Sequence, residues 1–228
     1  MERCRGQRRV GLLIPHTDMT SEIDLLSRLP EDVSLHAQRI WLDDVTVEAE
    51  EKMLRELPKA AACLKPVKPH AVVFGCTSAG ALYGLSGDRE IAAMLEDELG
   101  CPVVTAFGAV VEELRRLGTA SLGLITPYVE SLTDRVEFSL KGLGFKVIHA
   151  AGMGEREDER IGAVLPQTIR AFVYKEREKM HGADALFISC TNLRAMECRE
   201  ELEREIGIPV VTSNAAVCRR LMDILYRL

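Results

Sequence analysis

The chain has no basic face, no long apolar run and no regular cysteine framework, and each absence removes a class of function. Its 29 lysines and arginines are outnumbered by 35 acids, a net charge of −6 spread along the sequence. A nucleic-acid binder needs a basic surface. The only basic cluster, Arg3, Arg5, Arg8 and Arg9, reads as a solvated arm ahead of the first strand. The apolar stretch after it, Val10 to Ile14, is shorter than the roughly 7–15 residues of a signal-peptide core. The longest near-apolar run, Cys101 to Val111, is interrupted by Pro102, Thr105 and Gly108, and falls short of the ~20 residues of a membrane span. Seven cysteines, an odd number without a Cys-x-x-Cys pair or a His/Cys cluster at zinc spacing, predict reduced thiols in a cytoplasm rather than disulfides or a metal site. Gly80-x-x-x-Gly84-x-x-Gly87 lacks the Gly-Lys-Ser/Thr of a phosphate loop, and its glycines are read as turn formers.

What remains is an ordinary globular composition, 47% hydrophobic and 28% charged over 228 residues, enough for one large core or two small ones. Solid apolar runs at Val10–Ile14, Ala71–Phe74, Val103–Thr105, Ser121–Ile125, Lys146–His149, Ala185–Ile188 and Val210–Thr212 suit parallel strands covered on both faces. Helical patterns lie between them at Val47–Leu57, Ile91–Leu99, Val110–Leu117, Leu132–Leu143, Ile161–Met180 and Arg194–Ile206. The alternation predicts a doubly wound α/β architecture with right-handed crossovers.

The chain also repeats itself. Gly11-Leu-Leu-Ile-Pro15 returns as Gly123-Leu-Ile-Thr-Pro127, and the phrase ending His36-Ala37 returns around His149-Ala150. Glu98-Leu-Gly-Cys-Pro-Val-Val-Thr105 returns as Glu205-Ile-Gly-Ile-Pro-Val-Val-Thr212. Such order at near-constant separation predicts an internal duplication: pseudo-twofold halves at 1–118 and 119–228, with the site between them. The C-terminal helix, Ala215–Leu228, is expected to pack back on the first half.

Within that frame two cysteines close equivalent phrases, Val73-Phe74-Gly75-Cys76-Thr77-Ser78 and Phe187-Ile188-Ser189-Cys190-Thr191-Asn192. Each sits at the carboxyl end of a strand, where ligands of open parallel sheets bind. Each precedes helix-start residues whose free N–H groups favour an anion, whether a thiolate or a substrate carboxylate. A cysteine in an apolar run is ordinarily a small core residue, and Cys63, Cys101, Cys198 and Cys218 are read so, or as chance surface thiols. Symmetric placement sets Cys76 and Cys190 apart as two thiols on opposite walls of one small-molecule cleft.

The duplicated plan with one Cys-Thr turn per half resembles the aspartate/glutamate racemase superfamily. The opening Gly11-Leu-Leu-Ile-Pro15-His16-Thr17-Asp18-Met19-Thr20-Ser21-Glu22, with Thr126-Pro127-Tyr128 and Asp158-Glu159-Arg160-Ile161-Gly162, resembles its maleate cis-trans isomerase and arylmalonate decarboxylase branch. The resemblance implies a cofactor-independent enzyme acting on a small carboxylic acid, with no metal, and homodimers or higher homo-oligomers. It implies Cys76 as nucleophile or first base and Cys190 as the opposing acid. It also implies Tyr128 as a hydroxyl donor to a substrate carboxylate, and the backbones of Thr77, Ser78, Thr191 and Asn192 as carboxylate binders. Thr17, Asp18 and Glu159 fall in the substrate-binding motifs. The decarboxylases keep only the second-half cysteine, so Cys76 favours isomerisation. Asp18 and Glu159 stand where amides are expected. Facing the site, those acids would favour a substrate with an ammonium or hydroxyl group; the alternative is that each points into solvent. Racemisation of an amino or hydroxy acid therefore stays open, as does a non-catalytic carboxylate binder. His16 is read as a surface loop residue, and His36 and His149 as an inherited strand position. Thr212-Ser213-Asn214 is read as lining the site or capping the last helix, and the acid-rich 155–160 as a solvated loop or helix start.

Overall fold

Apolar strands need cover on both faces, and this chain supplies it twice. The computed structural model describes residues 7–226. In the first half, β1 (Arg8–Pro15), β2 (Val33–Ile40), β3 (Ala71–Phe74) and β4 (Val103–Thr105) form a parallel sheet in the order β2-β1-β3-β4. Its helices are α1 (Ser21–Arg28), α2 (Val47–Leu64), α3 (Thr77–Ala81), α4 (Gly84–Leu99) and α5 (Ala106–Arg116). In the second half, β5 (Ser121–Tyr128), β6 (Lys146–Glu155), β7 (Ala185–Ile188) and β8 (Val210–Thr212) form a parallel sheet in the order β6-β5-β7-β8. Its helices are α6 (Glu130–Gly142), α7 (Asp158–Gly162), α8 (Pro166–Glu176), α9 (Arg199–Ile206) and α10 (Ser213–Tyr226).

The two sheets repeat in register as well as in order. Leu12 lies between Ala37 and Val73, and Leu124 between Ala150 and Phe187. The repeated glycines have a packing cause. A Cβ on Gly11 would come within 2.9 Å of Val72, and one on Gly123 would meet the Met180 thioether. The halves do not stand apart, because α10 lies along α5 and reaches α1, β3 and β4. Among the described residues no helix is long and apolar enough to cross a membrane.

Several expectations change. Arg8 and Arg9 are not a solvated arm but the first residues of β1. The Arg8 guanidinium pairs with Asp32 and lies 4.3 Å from the Tyr226 ring centroid. Arg3 and Arg5, with Cys4, lie outside the described residues, as do the last two residues of the predicted C-terminal helix. The helix predicted over 161–180 is broken into α7, α8 and a closing 3-10 turn at Arg177–Met180. Pro166 opens α8, and Leu165 before it is extended, with ψ 147°, as the ring of a following proline demands. The pattern over 194–206 likewise divides into a 3-10 turn at Arg194–Glu197 and α9. The helix α1 had no counterpart among the predicted elements, and β2 had only the strand position read at His36. Conversely, α2 runs on through Pro58 to Leu64, seven residues past its predicted end.

Candidate active site

Chain direction puts both thiols at strand ends. β3 stops at Phe74, and Cys76 precedes α3. β7 stops at Ile188, and Cys190 follows Ser189. Both cysteines are buried, 5% and 8% exposed. Cys190 has φ 97°, a backbone conformation that costs a side-chain-bearing residue energy and recurs at functional sites. A nearby backbone N–H favours the thiolate at each sulfur, that of Ala79 at Cys76 and that of Asn192 at Cys190.

These donors do not decide the protonation state. Burial pushes the Cys76 thiol well up, and the nearby Glu50 and Cys190 push the same way. Burial pushes Cys190 up too, and Asp158 adds to it, while the Tyr128 hydroxyl beside the sulfur opposes the rise. Both therefore rest as thiols, and chemistry at either sulfur requires a proton acceptor.

A set of hydrogen bonds, most of them between the halves, fixes the two loops against each other. The Thr191 hydroxyl donates to the Gly75 carbonyl at 2.9 Å, one residue before Cys76. The Asn192 side chain accepts from the Met19 N–H at 2.9 Å and donates to the Asp158 carbonyl at 2.8 Å. Thr20 donates to the Asn192 carbonyl, Thr77 to Ser213, and Asn214 to the Thr191 carbonyl, all within 2.7–2.8 Å. The loop bearing Cys190 is thus held largely by first-half residues.

The family model for arylmalonate decarboxylase matches residues 10–225, nearly the whole of this architecture. The chain belongs to the arylmalonate decarboxylase family. Relatives within reach of this family member include maleate isomerase of Nocardia farcinica, 26% identical over 221 residues, which are 92% of this chain and 87% of that protein. Arylmalonate decarboxylase of Bordetella bronchiseptica is 24% identical over 212 residues, 91% of this chain and 86% of that protein. Among solved structures, a cysteine-to-serine mutant of N. farcinica maleate cis-trans isomerase holds a covalently bound succinylcysteine intermediate. It matches with a TM-score of 0.89 at 24% identity, over 96% of this chain and 93% of that one. An arylmalonate decarboxylase with one glycine changed to cysteine and one cysteine changed to serine matches with a TM-score of 0.86 at 22% identity, over 96% and 92%. Its two changed positions are 114 residues apart, the separation of Cys76 and Cys190.

The other predicted residues of this family member divide by what their side chains touch. Tyr128 is buried, its hydroxyl 3.4 Å from Ser189 and its ionisation suppressed by burial and the neighbouring thiols. Thr17 donates to the Asp158 carboxylate at 2.7 Å. Asp18 is buried, but its carboxylate accepts from Ser21 N–H and Oγ and from Thr20 N–H, capping α1 from just outside it. Burial raises Asp18 to about 6 against those hydrogen bonds. Glu159 corrects the expectation: it is exposed, and the buried acid of this segment is Asp158. Successive residues of a helix turn by about 100°, and here that turn carries Glu159 away from the buried side taken by Asp158. Cys190 thus has Asp158, not Glu159, for an acidic neighbour. His16 stacks on Trp41 at 4.1 Å, while His36 contacts Ser34 and His149 contacts Glu176. Thr212, not Asn214, caps α10.

Sequence reasoning missed Glu50. It is fully buried, accepts from the Ser78 hydroxyl through Oε1, and leaves Oε2 without a partner. Burial raises it to about 8, with Asp158 adding and Ser78 opposing. A signal was present. The buried stripe of α2 runs through Glu50, Met53, Leu57, Ala60, Ala61 and Leu64, so an acid occupies an apolar helix position.

Proposed function

We propose that this protein is a cofactor-independent cis-trans isomerase of a small unsaturated carboxylic acid of maleate type, working through Cys76 and Cys190. One observation carries the reading: a buried thiol stands at each of two equivalent strand ends, loops that are hydrogen-bonded to one another. The relatives named maleate isomerase support it, as does the covalent succinylcysteine in one of them. The engineered glycine-to-cysteine change in the decarboxylase, at the matching separation, supports reading Cys76 as the thiol that distinguishes isomerisation from decarboxylation.

In this reading the Cys76 thiolate adds to one alkene carbon, forming a C–S bond while the π pair moves to the other carbon. That carbon takes the Cys190 proton. Rotation about the resulting single bond exchanges the substituents. The Cys190 thiolate then removes a proton, the double bond re-forms in the trans geometry, and Cys76 leaves as thiolate. The Tyr128 hydroxyl and the N–H groups that open α3 and follow Cys190 hold the carboxylates.

Racemisation drew its sequence support from Asp18 and Glu159. One is occupied in capping α1 and the other is exposed, so isomerisation is preferred. The same reading makes the protein a cytoplasmic homo-oligomer that divides at about Gly118 into a Cys76 half and a Cys190 half. Light scattering after gel filtration tests the oligomer. Proton NMR in D₂O with maleate tests the activity. Fumarate should appear with wild type and not with Cys76→Ser or Cys190→Ser. α-Proton exchange in aspartate or glutamate without any fumarate would replace isomerisation by racemisation.

A further inference from the structure

A thiol that rests protonated needs a group to take its proton, and no described lysine, arginine or histidine is paired with the Cys76 environment. Among the described side chains, the hydrogen-bonding partner of the sulfur is the Ser78 hydroxyl, 3.8 Å away. Ser78 in turn donates to Glu50. Glu50 forms no ion pair with any described residue, and its second oxygen is buried and unpartnered among them. A carboxyl kept only for structure normally has its buried oxygens satisfied. The other titratable groups facing it come from three elements: Cys76 before α3, Tyr128 at the end of β5 and Asp158 on α7. All are acids, and none is a cation.

We propose that Glu50 is the terminal acceptor of the Cys76 proton, delivered through the Ser78 hydroxyl. The S–H bond breaks and its electron pair stays on sulfur. The proton joins Ser78 Oγ as the serine's own proton passes to Glu50 Oε1. A thiol and a carboxylate become a thiolate and a carboxylic acid, and the buried negative charge changes place but not size. That conservation matters energetically. Burying a new charge is expensive, whereas moving one between two buried groups leaves most of the desolvation cost unchanged.

The inference rests on the isomerase reading only in requiring that Cys76 become a thiolate, so it can be tested without a substrate. The experiment is the rate of Cys76 alkylation by iodoacetamide, read by peptide mass spectrometry across a pH series. Wild type is expected to label faster as pH rises and to level off as Glu50, raised to about 8, becomes fully ionised. Glu50→Gln keeps an acceptor for Ser78 but cannot take the proton; it should label about tenfold or more slowly near neutrality, with no levelling. Glu50→Asp should recover part of the rate. Ser78→Ala, which leaves Glu50 in place, should be slowed like Glu50→Gln.

The opposite sign overturns the proposal. If Glu50 acts only as a nearby charge, it raises the Cys76 thiol, and removing it would speed labelling. Wild-type rates in Ser78→Ala would equally refute the relay. Failure of maleate conversion with intact Glu50-dependent labelling would sink the substrate assignment alone.

Discussion

Glu50→Gln should also flatten the dependence of stability on pH, in a direction opposite to that of an ordinary paired carboxylate. An unfolded glutamate titrates near 4.5, and in the folded protein burial lifts Glu50 to about 8. Between those values the native state holds a proton that the unfolded state has lost. Stability is therefore fully present below the unfolded pKa and is lost as pH rises toward the folded one. At about 1.4 kcal/mol per pH unit, the loss from Glu50 alone is roughly 2–3 kcal/mol from about pH 5.5 to about pH 7.5. Asp18 and Asp24, each raised to about 6, and Asp88, raised to about 7, slope the same way. They are present in both proteins, so the difference between them isolates Glu50. Urea unfolding at several pH values and fixed protein concentration gives the two curves. The wild-type curve should fall more steeply by that amount. Parallel curves, within about 0.5 kcal/mol, would mean that Glu50 is already ionised in the folded state, and the burial argument would fail.

Other substitutions test the site from different sides. Cys190→Gly should be at least as stable as Cys190→Ala, by about 1 kcal/mol, because only glycine relieves the positive φ; thermal melts of the two turnover-dead variants decide it. Gly152→Ala should be more damaging than Gly123→Ala. The new methyl would meet the Tyr128 carbonyl in the first case and a flexible Met180 side chain in the second. The expected costs are more than about 3 kcal/mol against about 1–3 kcal/mol, with turnover lost further in Gly152→Ala as Tyr128 shifts. Asn214→Ala removes the donor shared by the Thr191 carbonyl and Asp24. Asp24 would lose this donor, and the Thr191 carbonyl would keep only the longer bond from the Ser21 hydroxyl at 3.3 Å; the expected cost is about 1–3 kcal/mol in chemical unfolding.

The central strands were legible because burial on both faces makes β1, β3, β5 and β7 continuous apolar runs, and the duplicated Cys-Thr turns stood out against them. The edges were not. β2 has a half-exposed pattern from Ser34 to Arg39, which carries no such run. β6 extends six residues past His149, through Gly152 and Gly154, to Glu155. A five-residue helix such as α7 has too few turns to fix its phase, so Asp158 and Glu159 could not be told apart. Asn192 was expected to bind substrate through its backbone. The occupation of its side chain by Met19 of the other half and by Asp158 depends on contacts more than thirty residues apart, which no local pattern records. Glu50 was readable in principle, as the one charged member of an apolar stripe, but the stripe was read only as helix.

The meeting of Arg8 with Tyr226 has a consequence for chain order. The Arg8 side chain also donates to the Leu225 carbonyl, and the Tyr226 hydroxyl donates to Asp32, so the first strand and the last helix end side by side. The crossing from α5 to β5, by contrast, is a short turn around Gly118, whose φ of 69° suits glycine. A linker from Tyr226 to Arg8 and a cut at that turn would put β5–β8 first and β1–β4 last. No sheet hydrogen bond would be broken. The two thiols would keep their positions in space while exchanging their order along the polypeptide, making this fold a natural host for circular permutation.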